Sequence, residues 1–146
     1  MLQITTSIRS TIERALAEDI GQGDITTDSL IPPDIRGLAT IVVRVPGVIA
    51  GLEVALEVFR QANPSVETRV LMADGSEVAQ WDVVAEVEGS IVGILKGERV
   101  ALNFLQRMSG IATQTHSETH TYLPVKDRAG SEYCYNCVIE EHQTRA

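Results

Sequence analysis

The sequence is poor in cysteine, in aromatic residues and in positive charge, and each shortage excludes something. Only two cysteines occur in 146 residues, Cys134 and Cys137, so we do not expect a disulfide framework. Aromatic residues make up 4% of the chain, so the core must be built mainly from aliphatic side chains. The 12 basic residues face 20 acidic ones and give a formal net charge of −8, which argues against a nucleic-acid-binding surface.

Long apolar runs are also missing. No stretch of about 18 apolar residues occurs, so no membrane-spanning helix is expected. The first 14 residues, MLQITTSIRSTIER, have neither a compact apolar segment nor a small-residue cleavage site. They do not predict a secretory signal, and we expect a cytoplasmic protein. The length and a hydrophobic content of 44% predict one domain with a modest core.

The hydrophobic periodicity predicts an α+β domain. Strands and helices do not alternate regularly, which favours a small, curved antiparallel sheet of four to five strands packed by about three helices. The turn signal at residues 73–76 predicts a hairpin. Helices are predicted at residues 7–19, 51–62 and 96–113, and strands at 37–45, 66–72, around Val78, at 83–87 and at 91–95.

Three polar or amphipathic side chains have ordinary structural interpretations. Glu53 and Glu57 lie on the polar stripe of the second predicted helix and are expected to be solvated. No partner motif supports a pair of catalytic carboxylates there. Trp81 is expected to be a half-buried packing residue and not a platform for a ligand.

The predicted helix at residues 96–113 has the strongest pattern in the sequence. Glu98 would lie in its first turn, where the exposed N–H groups favour a carboxylate. Arg99 follows, and the same field disfavours a cation there. Arg99 is therefore either a surface residue paired with an acid, or a forked donor that faces an anion together with the helix N-terminus.

The sequence after His116 differs from the rest of the chain in its hydrophobic pattern. Residues 117–146 show no sustained helical or strand period, so we expect a domain at 1–116 and a poorly ordered, atypical tail at 117–146. His116, His120, Cys134 and Cys137 form a nominal zinc set. The order of these ligands and the polar, proline-containing spacer argue against it, and no metal site is expected.

Five motifs follow one another along the chain: EDIGQGDITTDSLIP, GVIAGLEVALEVF, DGSEV, AEVEG and ERVALNFLQRMSGIAT. Together they resemble the quinolinate phosphoribosyltransferases, also called carboxylating nicotinate-nucleotide pyrophosphorylases. The resemblance runs from about Ile12 to Thr115 and is to the smaller N-terminal domain of that family. It implies that the α/β barrel which follows in the family is absent here.

The resemblance implies an enzyme of NAD biosynthesis, a phosphoribosyltransferase of the pentosyl class of glycosyltransferases. Enzymes of this family convert quinolinate and phosphoribosyl pyrophosphate to nicotinate mononucleotide, CO2 and pyrophosphate, with Mg²⁺ bound by the barrel. The resemblance further implies a homodimer or higher oligomer whose active sites are shared between subunits. Arg99 then binds a quinolinate carboxylate in trans, and Glu98 orients Arg99. No catalytic residue is expected in this chain, and the chain alone is expected to be inactive.

Other interpretations stay open at this stage. The domain is alternatively a binding module that pairs with a separate barrel chain, or a related phosphoribosyltransferase-like protein of molybdenum transport. A further alternative is a non-functional truncated product. Without a barrel, the chain is expected to expose an apolar surface and to self-associate.

Overall fold

The part of the chain that the structure describes combines three helices with short antiparallel strands, and its longest element is a helix of 26 residues. The computed structural model describes residues 3–21, 30–116 and 137–142. The helices are α1 (Thr6–Gly21), α2 (Leu52–Ala62) and α3 (Ile91–His116). The strands are β1 (Arg36–Val43), β2 (Gly47–Val48), β3 (Glu67–Val70), β4 (Glu77–Val78), β5 (Val83–Ser90) and β6 (Cys137–His142).

The strands form two antiparallel sheets. The larger sheet has the order β3–β5–β1–β6, and β2 pairs with β4 in a separate two-stranded ribbon. The pairing of β1 with β5 shifts by one residue between Ile41 and Val42, where Val42 pairs with Val83. Such an irregularity bends a strand and increases its twist. The fold confirms the α+β prediction, the small antiparallel sheet and, within the described residues, the three helices.

Helix α2 lies at the centre of the core, and its own side chains are buried on nearly every side of the helix. Val58 and Phe59 are fully buried, and α2 packs against both α1 and α3. The core is mainly aliphatic, as the shortage of aromatic residues predicts. Its largest fully buried side chains are Phe59, Ile12, Ile41, Ile49, Leu52, Leu56, Ile94 and Leu105.

The prediction of a strand at residues 91–95 is wrong, because these residues form the first turn of α3. The Ser90 hydroxyl oxygen accepts a hydrogen bond from the Gly93 N–H at 3.4 Å, as a helix N-cap does. Gly93 and Gly97 lie on one face, four residues apart, and allow α3 to approach α2. A Cβ at Gly93 would lie 2.6 Å from the Asn63 Cβ. Gly93, which resembles a strand break in sequence, is therefore a site of close helix packing.

Two interpretations of individual side chains are also wrong. Glu57 is buried, not solvated, and its carboxylate lies 3.5 Å from the Arg9 Nε and 3.4 Å from the Arg60 Nη1. A buried carboxylate needs such partners because desolvation disfavours an isolated charge. Trp81 is 56% exposed and adopts φ +73°, and the Arg44 guanidinium lies 4.9 Å from its ring centroid. It is a surface residue and not a half-buried one.

The turn at residues 73–76 forms, but it does not close a hairpin. The Ser76 N–H donates to the Ala73 carbonyl at 3.1 Å, yet β3 and β4 on either side belong to different sheets. The turn instead serves α2. The Asp74 Oδ1 accepts a hydrogen bond from the Leu52 N–H at 2.8 Å, because Gly51 at the N-cap has no side chain to do so.

Strand β6 was not anticipated from the sequence. It pairs with β1 through residues 137–142, inside the segment predicted to be poorly ordered. Residues 117–136 and 143–146 lie outside the described residues, and so does the prediction made for them. The division into a domain at 1–116 and a tail stays a prediction.

We expect Gly93→Val to destabilise the domain by about 1–3 kcal/mol, because the new side chain overlaps Asn63. Chemical denaturation followed by circular dichroism measures the change. Gly21→Val is the matched control, because a Cβ at Gly21 has no neighbour within 4 Å. This control is expected to stay within about 0.5 kcal/mol of the parent. Equal effects of the two substitutions would contradict the close-packing explanation.

Candidate functional site

The outer face of α3 presents a stripe of exposed residues. Arg99, Asn103, Arg107 and Ile111 are all exposed and follow one another at four-residue spacing. Residues four apart lie on the same face of a helix. The opposite face of α3 is buried through residues such as Ala101 and Leu105. The core therefore fixes the direction in which the stripe points.

Arg99 lies in the third turn of α3, since the helix begins at Ile91 and not near Lys96. The electrostatic effect of a helix end is confined to its first turn. The predicted combination of Arg99 with the helix N-terminus around one anion is therefore wrong. The first-turn placement of Glu98 is wrong for the same reason. A role for Arg99 must depend on its own guanidinium.

The acid recorded beside Arg99 is Asp19, at the end of α1. The Arg99 Nη1 lies 3.6 Å from the Asp19 Oδ1, and the Arg99 side chain is 79% exposed. An exposed ion pair of this kind contributes about 0–1 kcal/mol. Arg99 therefore stays open to a second anion, which would compete with Asp19 at little cost. Glu98, the predicted orienting residue, is half-buried, and that role stays a prediction.

A cleft of about 540 Å³ opens between α1 and α3, next to this pair. Val100 and Phe104 give it an apolar floor, and Asp19 links the cleft to Arg99. The residues that line the cleft are Ala15, Glu18, Asp19, Val100, Asn103, Phe104 and Arg107.

Two hydroxyl groups on α3 fix the helix to the backbone of the β2 segment. The Val48 N–H donates to the Thr113 Oγ1 at 3.0 Å, and the Ala50 N–H donates to the Ser109 Oγ at 3.0 Å. The Ser109 hydroxyl donates back to the Ala50 carbonyl at 3.1 Å. We call Ser109 and Thr113 the hydroxyl pair.

The spacing of the hydroxyl pair matches the spacing of the backbone groups that it binds. Four residues of an α-helix rise about 6 Å, and two residues of a strand extend about 6.6 Å. Two hydroxyls on one helix face can therefore accept the backbone hydrogen bonds that a neighbouring strand would otherwise accept. This role was not predicted from the sequence, in which SGIAT stands only as part of a family motif. A serine and a threonine four apart on an otherwise apolar face were the available signal.

Gly51 completes the attachment of α3. It adopts φ +84°, and a Cβ at this position would lie 2.5 Å from the Met108 Sδ. Both the left-handed backbone and the close approach of α3 therefore favour glycine here.

The described residues contain no cluster of three or more His, Cys, Asp or Glu side chains suited to a metal ion. The His116 Nε2 lies 2.8 Å from the Glu77 Oε1. His120, Cys134 and the side chain of Cys137 lie outside what the structure describes, so the nominal zinc set is not tested. Among the described helices, none is both long enough and apolar enough to cross a membrane.

These elements define a class: a small α+β domain whose long helix presents an arginine outward beside a cleft. The family model for the N-terminal domain of quinolinate phosphoribosyl transferase matches residues 24–109. The chain belongs to this family. The match covers β1 through most of α3, including Arg99 and Ser109.

Relatives and solved structures agree with that membership. The chain is 34% identical over 141 residues to the carboxylating nicotinate-nucleotide pyrophosphorylase of rice, which is named as chloroplastic. It is 45% identical over 104 residues to the probable nicotinate-nucleotide pyrophosphorylase of Synechocystis. The crystal structure of NadC from Streptococcus pyogenes superposes on 82% of this chain with a TM-score of 0.77 and 33% identity.

The matches cover most of this chain but less than half of each relative. The chain spans 35% of the length of the rice and Synechocystis relatives and 42% of the Streptococcus pyogenes chain. The rice match covers 96% of the present chain. It therefore continues into the segment after His116 that the sequence analysis treated as atypical.

We expect Thr113→Val to destabilise the domain by about 1–3 kcal/mol, because it leaves the buried Val48 N–H without an acceptor. Thr115→Val is the matched control on the same helix, since the Thr115 hydroxyl is exposed and donates only to the Ile111 carbonyl. Thermal unfolding of the two variants measures the difference. Equal stability of both variants would show that the hydroxyl pair does not fix α3.

Proposed function

We propose that this chain is the substrate-contacting N-terminal part of a quinolinate phosphoribosyltransferase. In this proposal, the complete enzyme converts quinolinate and phosphoribosyl pyrophosphate to nicotinate mononucleotide, CO2 and pyrophosphate. The observation that carries the proposal is the open guanidinium of Arg99 on the outer face of α3. The family membership and the relatives named above support quinolinate as the substrate over the molybdenum-transport alternative.

The chemistry of quinolinate explains why an arginine is suited to this position. Quinolinate carries two carboxylates on a planar ring, and a guanidinium offers two parallel N–H donors to one carboxylate. The side chain points away from its own core, so it would reach a substrate held by another polypeptide surface. Arg99 would therefore act in trans, within a homodimer or a higher oligomer.

The net charge of the chain supports a shared active site. A chain with a net charge of −8 is poorly suited to hold two polyanionic substrates alone. The remaining cations, and the Mg²⁺ that accompanies phosphoribosyl pyrophosphate, would come from the catalytic barrel. Bound Mg²⁺ would stabilise the charge of the departing pyrophosphate. No cluster in the described part of this chain is suited to hold that ion.

The proposal also concerns where the reaction takes place. We place the enzyme in the cytoplasm, as the sequence analysis expects, although the rice relative is named as chloroplastic. In this proposal the 146-residue chain has no turnover by itself. Product formed by the purified chain, in the absence of any other phosphoribosyltransferase, would contradict this part.

Arg99→Lys is expected to raise the KM for quinolinate about tenfold or more, because lysine loses the bidentate fork, and each tenfold step corresponds to about 1.4 kcal/mol. The measurement uses a chimera in which residues 1–116 replace the matching segment of the Streptococcus pyogenes protein. Formation of nicotinate mononucleotide is followed at varied quinolinate. The KM for phosphoribosyl pyrophosphate is expected to change much less.

Arg107→Lys is the matched control, two turns further along the same exposed stripe. It should leave the quinolinate KM close to that of the parent chimera. Equal KM values for the parent and the Arg99→Lys chimera would refute the role of Arg99. A parent chimera that folds cooperatively but makes no product would count against the proposed function as a whole.

A further inference from the structure

The outer edge of β1 is covered by a strand from the far end of the chain. Strand β6 pairs with β1 in antiparallel register over six residues, from Leu38 with His142 to Val43 with Cys137. Strand β5 occupies the other edge of β1. Without β6, β1 would therefore be an edge strand with a row of unpaired backbone groups.

Strand β1 is an unusual strand to leave at an edge, because its side chains belong to the core. Ala39, Ile41 and Val43 are each no more than 1% exposed. A long edge strand with this apolar content is a template for pairing with another chain, and proteins normally cover such edges. The edge of β1 therefore requires an occupant, and β6 meets that requirement.

The occupant lies outside the region that the family model matches. Strands β1 to β5 lie within residues 24–109, whereas β6 lies beyond them. Helix α3 ends at His116 and β6 begins at Cys137, so the strand that covers β1 is far from it in sequence. An element of this kind can be exchanged between two copies of a chain, because the same pairing is open to the identical segment of the second copy.

We propose that the outer edge of β1 is a strand-docking site and that residues 137–142 are a detachable strand that occupies it. The partner that this edge accepts in trans is the same segment of a second copy, added as an antiparallel strand. The identical register is available to the segment of either copy, so pairing between copies is favoured as the protein concentration rises. This inference does not rest on the proposed enzymatic function.

The test uses a fluorescent peptide of residues 135–146 and the full chain carrying Ile139→Pro. Proline in the middle of a strand removes a backbone donor and prevents regular pairing, so the substitution is expected to release β6 and uncover β1. The peptide should bind this variant at least tenfold more tightly than the unsubstituted chain, whose own strand competes. Fluorescence anisotropy measures both affinities.

Two peptide controls separate strand pairing from non-specific binding. A peptide with Ile139→Pro should not bind, whereas one with Thr144→Pro, beyond β6, should bind like the parent peptide. Equal binding of all three peptides, or equal binding of the parent peptide to both chains, would overturn the proposal. So would an absence of binding to an Ile139→Pro chain that retains cooperative unfolding.

Hydrogen exchange on the unsubstituted chain gives a second measurement that does not depend on a variant. Amide protons of residues 38–43 and 137–142 are expected to be protected together, since each set bonds to the other. Exchange of residues 137–142 at the rate of an unstructured peptide would overturn the proposal, whatever the outcome of the peptide experiment.

Discussion

The position of α3 depends on hydrogen bonds between side chains of a helix and the backbone of a short strand. Ser109 and Thr113 satisfy the N–H groups of Ala50 and Val48, which would otherwise be left without acceptors as α3 packs over them. Buried backbone groups need such partners, so α3 cannot rotate or slide without breaking both bonds. The close approaches at Gly51 and Gly93 further restrict the helix. Because α3 is continuous from Ile91 to His116, this restriction also fixes the stripe that contains Arg99.

A rigid helix that presents a lightly held arginine is suited to binding across an interface. The pairing of Arg99 with Asp19 keeps the guanidinium near one orientation, yet the contact is long and solvated enough to yield to a carboxylate. The buried face of α3 determines the direction in which Arg99 points, and the exposure of Arg99 leaves it accessible to an anion. Arg99 is therefore oriented by the packing of α3 and not, as the sequence suggested, by a helix N-terminus. Under the proposed function, a substrate held by a neighbouring subunit would therefore meet a preorganised donor and would displace only a weak ion pair.

The sequence predicted the fold class well and the local details less well, and the reasons are physical. Periodicity found α1 and α2 with nearly their observed bounds, since their apolar positions repeat over three or more turns. It misassigned residues 91–95, because Gly93 breaks an apolar run in the same way as a turn between strands does. Glu57 was predicted to be solvated because its spacing matches a polar stripe. In the structure Glu57 is buried, and its charge is paired with Arg9 of α1, a helix far away in sequence. The turn at residues 73–76 was found, but the sheet to which each flanking strand belongs depends on contacts far apart in the chain.

Arg99 and Glu98 were found through the resemblance to a family, and the hydroxyl pair was overlooked in the same motif.

The cap of α2 has a consequence for the order of events in folding. The first N–H of this helix is bound by Asp74, 22 residues further along the chain, and Gly51 supplies no cap of its own. The start of α2 is therefore completed only when the turn after β3 has docked, so local sequence cannot nucleate this end of the helix. Contacts between distant residues form slowly, because the chain must close a loop before the contact is gained. The central helix of the core would then gain its N-terminal turn late, together with the ribbon of β2 and β4, whose backbone lies next to that turn.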